Sequence, residues 1–120
     1  MMKVLICDDS ALARKQVKRS LPEEWPIEVS FATNGVEALE QLDQDEISVL
    51  FLDLTMPELD GIGVLEAMQG KEYATCIIVI SADVQPEMQK RVKELGALSF
   101  IRKPVNKTQL SLVLAEYGLI

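Results

Sequence analysis

Short unbroken apolar runs alternate along the chain with stretches in which apolar residues return every three or four positions. Residues 4–7, 49–52 and 77–80 are continuous and rich in β-branched or large side chains, the pattern of strands buried on both faces. Ile27, Val29 and Phe31 alternate with Glu28 and Ser30, which predicts a half-exposed edge strand. Residues 99–101 predict the other edge. Between these runs, Ala13/Val17/Leu21, Val36/Leu39/Leu42, Val64/Leu65/Met68, Met88/Val92/Leu95 and Leu110/Val113/Leu114/Tyr117 each draw one apolar stripe on a helix. Asn34 and Asn106 stand at N-cap positions, with Glu37 and Gln109 three residues on in capping-box spacing. Gly96 and Gly118 fall where the fourth and fifth helices should stop, and Pro22 and Pro26 confine the first. The pattern is an α/β (βα)5 repeat, and right-handed crossovers then give a parallel sheet covered on both sides. No linker, repeat or low-complexity stretch interrupts it, so residues 1–120 are expected to form a single domain.

Sheets of this kind bind ligands beyond the carboxyl ends of their strands. There the sequence sets Asp8 and Asp9 after the first strand, Asp53 at the end of the third, Ser81 after the fourth, and Lys103 and Pro104 after the fifth. Singly these are weak signals: an Asp-Asp pair is more often a solvated turn or a helix cap than a site. Together they bring three carboxylates, a hydroxyl and an ammonium to one rim. Clustered carboxylates repel unless a cation neutralises them. Carboxylates, a backbone carbonyl and water suit a hard octahedral ion, Mg²⁺ first and Mn²⁺ as the alternative. Mg²⁺ beside a carboxylate is a usual arrangement for phosphoryl chemistry, with an ammonium and a hydroxyl on the phosphoryl oxygens. An aspartate can itself be the nucleophile, giving an aspartyl phosphate.

Composition narrows the choice. The chain has 12 basic and 19 acidic residues, a net charge of −7, a field that repels phosphate backbones and argues against direct nucleic-acid binding. It contains no histidine, which removes Ser-His-Asp and Cys-His nucleophiles and every histidine metal site. Cys7 and Cys76 sit in apolar runs and read as buried small hydrophobes in a reducing compartment. The first apolar run is cut short by two aspartates, unlike a signal peptide, and no run reaches the ~18 apolar residues of a membrane span. A cytoplasmic location without membrane contact is expected.

The segments VLICDDS, FLDLTMPELDG, VISA and FIRKP, in this order and spacing, resemble the response-regulator receiver domains of two-component signalling, of the chemotaxis-regulator type, across the whole chain. The resemblance implies a flavodoxin-like, doubly wound fold with strand order 2-1-3-4-5. It implies that Asp53 is the phosphoacceptor and that Asp8 and Asp9 form the acidic pair, Asp9 the more direct Mg²⁺ ligand. Asp53 and the backbone carbonyl of Thr55 complete the metal ligands. Ser81 and Lys103 would bond phosphoryl oxygens, Ser81 and Phe100 would form a switch, and the Lys103–Pro104 peptide would be cis. Thr55 and Asp83 occupy the positions that tune phosphoryl lifetime, a short hydroxyl and a carboxylate that leave water fair access. The implied donors are a histidine kinase or histidine phosphotransfer protein, and the implied output a downstream protein target or a fused output domain. The chain would be a monomer or a phosphorylation-dependent dimer, and not a conventional enzyme beyond promoting its own phosphorylation and dephosphorylation. It would be a stand-alone regulator or a receiver cut from a longer protein.

Plainer alternatives stand beside these expectations. Phe100 suits a core aromatic on an edge strand, and only its place three residues before Lys103 favours the switch. Arg14, Lys15, Lys18 and Arg19 suit a solvated helix face as well as a kinase-docking surface. Met56 is expected to pack near the site, and Gly61 to meet a backbone need of its turn. Asp-nucleophile phosphohydrolases of the haloacid-dehalogenase type also combine Asp, Mg²⁺, Ser or Thr, and Lys. They carry a second Asp two residues after the nucleophile, where this chain has Thr55, and their nucleophile follows the first strand. A flavodoxin-like electron carrier would need a Ser/Thr/Gly-rich phosphate loop where Asp8 and Asp9 stand.

Overall fold

The computed structural model describes residues 1–83 and 85–120. Its elements are β1 (Met2–Cys7), α1 (Ala11–Ser20), β2 (Ile27–Ala32), α2 (Gly35–Gln44), β3 (Val49–Leu52), α3 (Gly61–Met68), β4 (Cys76–Ser81), α4 (Pro86–Glu94), β5 (Ser99–Arg102) and α5 (Lys107–Glu116). All neighbouring strands pair in parallel, in the order β2-β1-β3-β4-β5. The strand order reverses beside β1, so β1 and β3 diverge into the crevice where ligands of such sheets bind. Asp8 and Asp53 are the first residues past those two strands.

Alternation along the strands builds two cores. Leu5, Cys7, Leu50, Leu52, Ile77 and Val79 face one side, under α2, α3 and α4. Val4, Ile6, Phe51, Ile78, Ile80 and Ile101 face the other, where Val17 of α1 and Leu110 and Leu114 of α5 cover them. β3 is wholly buried, and β1 and β4 are buried beyond their first residues, which is why these strands read as unbroken apolar runs.

The helix ends follow local chemistry. Asn34, Asp60 and Asn106 each accept a hydrogen bond from the amide three residues on, as N-caps do. Glu37 does not close a capping box on Asn34. Its carboxylate accepts from the amide and hydroxyl of Thr33, one residue earlier, both at 2.7 Å. Gly96 and Gly118 have φ of 103° and 71°, and the amides of Ala97 and Leu119 reach back to the carbonyls of Val92 and Leu114. Both helices thus end in Schellman motifs, where glycine avoids the left-handed penalty.

Three side chains depart from the expected stripes. Val36 is 42% exposed, and Ala38 takes its place in the core beside Leu42. Phe31 is 41% exposed at the end of edge strand β2, with the Lys18 ammonium 5.8 Å above its ring. Tyr117 is also exposed and donates to the carbonyl of Leu98. Periodicity locates a helix face but not how far a neighbouring element extends over it. Cys7 is buried as expected, whereas Cys76, at the start of β4, is only partly so.

Candidate functional site

Each strand end places its residue by its own hydrogen bonds. The amide of Asp8 donates to Ala32 of β2 and that of Asp53 to Cys7 of β1, so both aspartates leave the sheet together. Asp8, Asp9 and Asp53 bring one carboxylate oxygen each within 4.8 Å of one another. Asp8 and Asp53 are buried and Asp9 is exposed. Lys103, just past β5, is brought in when its amide bonds the carbonyl of Ser81 and its peptide to Pro104 is cis. Its ammonium lies 2.8 Å from Asp8 and 3.3 Å from Asp53.

Charge is finely balanced here. Burial raises the Asp53 pKa above its ordinary value and the neighbouring Asp8 adds to the rise, while Lys103 opposes both. For Lys103, burial alone would lower the pKa, but its bonds and charge contacts with Asp8 and Asp53 raise it overall. Three oxygens converge with no nitrogen or sulfur ligand among them, and a single ammonium serves the two buried carboxylates. That donor set fits a small hard cation. Asp8, Asp9 and Asp53 would hold it.

The remaining expected residues lie around this centre. Ser81 is buried at the end of β4, and its hydroxyl accepts from the amide of Asp83 at 3.1 Å. Thr55 is exposed in the loop after Asp53. Phe100 pairs in register with Val79 and so shares a sheet face with Ser81, two residues further along β4. It is partly buried against the α3–α4 side of the core and lines a groove of about 390 Å³ between α4 and α5. Met56 is buried with its sulfur 3.4 Å from that of Cys7. Burial, then Asp8 and Asp53, push the Cys7 thiol up to about 12, leaving it a packing group rather than a nucleophile.

Two supports escaped the sequence, and a third was read only in part. Ser10 caps α1 and its amide donates to the Asp8 carboxylate at 2.9 Å. Arg14, expected on a solvated or docking face, turns inward and donates to the Asp8 carbonyl at 2.8 Å. A spacing of six from Asp8 allows this contact without singling it out, because it depends on how the start of α1 folds back over the strand end. Gly61 is more than a turn residue: a Cβ there would stand 2.3 Å from the carbonyl oxygen of Asp53.

The family model for the response regulator receiver domain matches residues 4–115. The chain belongs to this family. Receiver domains serve two-component signalling, are phosphorylation-dependent, bind Mg²⁺ at an acidic pocket and are generally non-enzymatic. The chemotaxis protein CheY of Listeria monocytogenes is 35% identical over 87% of this chain and 87% of its own length. A protein-glutamate methylesterase/protein-glutamine glutaminase of Rhodospirillum rubrum is 37% identical over 100% of the chain, which spans only 33% of that protein. Among solved structures, the CheX–CheY–BeF3–Mg²⁺ complex of Borrelia burgdorferi matches with a TM-score of 0.88 and 28% identity, over 97% of this chain and 88% of that one. The match supports a receiver of the chemotaxis type and its strand order. Among the described residues no helix is long and apolar enough to cross a membrane.

Proposed function

We propose that residues 1–120 form one receiver unit that accepts a phosphoryl group on Asp53 from the phosphohistidine of a kinase or phosphotransfer protein, in the cytoplasm. The observation that carries this is the pairing of a buried Asp53 with Lys103 at 3.3 Å inside the carboxylate cluster. An Asp53 oxygen attacks phosphorus, the P–N bond breaks, and the imidazole leaves with its electron pair and takes up a proton. Asp8, Asp9, Asp53 and the Thr55 carbonyl would hold Mg²⁺, which supplies charge neutralisation at the phosphoryl oxygens. Lys103 neutralises a further oxygen, and Ser81, whose lone pair is engaged by Asp83, keeps its proton free to donate. Having no histidine, the chain stands on the acceptor side of this exchange. Thr55 and Asp83 border the approach of water to the acyl phosphate.

Phosphorylation then alters partner binding through the face made by α4, β5 and α5. Lys90, Arg102 and Lys107 place positive charge on it in an acidic protein, Arg91 turns instead to Glu66 of α3, and Phe100 lines its groove. The occupant is a protein target, a fused output domain or a second copy. The methylesterase relatives favour the fused arrangement, and the Listeria CheY a stand-alone one.

Acetyl phosphate with Mg²⁺ tests the acceptor. Intact-mass spectrometry should show one added phosphoryl group, removed by hydroxylamine and absent from Asp53→Asn. Equal labelling of Asp53→Asn would assign the chemistry to another residue, and sustained release of phosphate over many turnovers would favour a phosphohydrolase.

A further inference from the structure

We infer that Asp83 is the coupling residue between the phosphoryl site and helix α4, acting through its side chain rather than its charge. Ser81, Asp83 and Gln85 form one chain of hydrogen bonds. The Asp83 amide donates to the Ser81 hydroxyl at 3.1 Å, and the Asp83 carboxylate accepts from the Gln85 amide at 3.1 Å. Gln85 is the N-cap of α4, and its own side chain makes no capping bond. The first turn of α4 is therefore tied to Ser81 through the Asp83 side chain. A hydroxyl that accepts from one neighbour still donates to another. Ser81 can thus turn its proton toward a phosphoryl oxygen without releasing Asp83, and its displacement passes to Gln85.

The far end of α4 is fastened elsewhere. The side chain of Gln69, the C-cap of α3, donates to the carbonyl of Leu95, the C-cap of α4, at 2.8 Å. Arg91 in the last turn of α4 pairs with Glu66 of α3 at 3.0 Å. A pull on Gln85 therefore swings the N-terminal turn of α4 about a held C-terminal end. Met88, in the moving turn, packs on the core and is a natural reporter. Val92, next to the fastened end, is a fixed reference.

This coupling rests on Asp53 and Ser81 being the phosphoryl site. The test is methyl and amide NMR of the full chain with Mg²⁺ and saturating beryllofluoride. In wild type the Thr55 amide and the Met88 methyl should both shift, Met88 more than Val92. In Asp83→Ala the Thr55 shift should persist and the Met88 shift be lost. Asp83→Asn, which removes charge but keeps an accepting oxygen, should restore it. Gln85→Pro deletes the same bond from the donor side, and the Gln85 φ of −61° suits proline. It too should silence Met88. A full Met88 shift in Asp83→Ala and Gln85→Pro, with Thr55 responding, overturns the coupling alone. Failure of Asp83→Asn to restore it would overturn the side-chain route in favour of charge. A silent Thr55 amide in wild type would overturn the site and the coupling with it.

Discussion

Asp53 is held at a carboxylate's disadvantage: burial and Asp8 raise its pKa, and Lys103 offsets them only in part. A carboxylate with a raised folded pKa binds its proton more readily in the native state. The stability it contributes is then present below the ordinary value of 3.8 and lost as pH rises through the folded one. Asp53→Asn should therefore be more stable than wild type at neutral pH without Mg²⁺, by roughly 1 kcal/mol, the common scale of a single substitution. Chemical denaturation across pH checks this, and the difference should close in acid below the ordinary aspartate value. Lys103 has the opposite sense. Its pKa is raised above 10.5, so its contribution is complete below that value and fades as pH climbs past the folded one. Lys103→Met should cost about 1–3 kcal/mol at neutral pH, since it strands two buried carboxylates. Mg²⁺ should narrow the loss by taking over their neutralisation.

At the scale of elements, the loop from Asp53 to α3 is fixed by a close approach that only glycine permits. Gly61→Ala would drive a Cβ to 2.3 Å from the Asp53 carbonyl and 2.8 Å from the Leu54 Cα, and backbone on the far side cannot yield as a side-chain tip does. This variant should lose Mg²⁺-induced amide shifts along with roughly 2 kcal/mol or more of stability. Asn106→Ala, by contrast, should cost about 1 kcal/mol as a lost N-cap and leave those shifts intact. The elements themselves were legible because each of β1, β3 and β4 is an apolar run too short for a helix, and α1, α2, α4 and α5 each show a cap or a stop, whereas α3 was read from its apolar stripe alone. Asp8, Asp9, Asp53, Ser81 and Lys103 were legible because each stands next to a strand end, and strand ends of a parallel sheet meet on one rim. Arg14 and the Gly61 contact were not, since both depend on how a helix start folds back over a neighbouring strand. Phe31 and Val36 failed for the same reason at the sheet's edge: periodicity carries no information on where a covering helix stops.

For the whole molecule, the −7 charge and the acidic cluster at the β1–β3 crevice make folding and cation binding parts of one equilibrium. The native state gathers Asp8, Asp9 and Asp53 within 4.8 Å, and an unfolded chain, with Asp9 and Asp53 44 residues apart in sequence, does not. A cation that binds only the gathered state stabilises it by mass action, by about 2.7 kcal/mol when its concentration is a hundred times Kd. Mg²⁺ is seldom caged by protein alone and keeps several waters, so concentrations in the millimolar range are the ones to scan. The melting temperature should climb with the logarithm of Mg²⁺ concentration and level off only below the onset of binding. Na⁺ at matched ionic strength separates site binding from general screening, which acts on every surface charge alike. Asp9→Ala should flatten the Mg²⁺ dependence while leaving the metal-free stability near wild type, because Asp9 is exposed. An Asp9→Ala curve as steep as wild type would move the ion away from this rim, and a wild-type curve no steeper than that in Na⁺ would leave the cluster as surface charge.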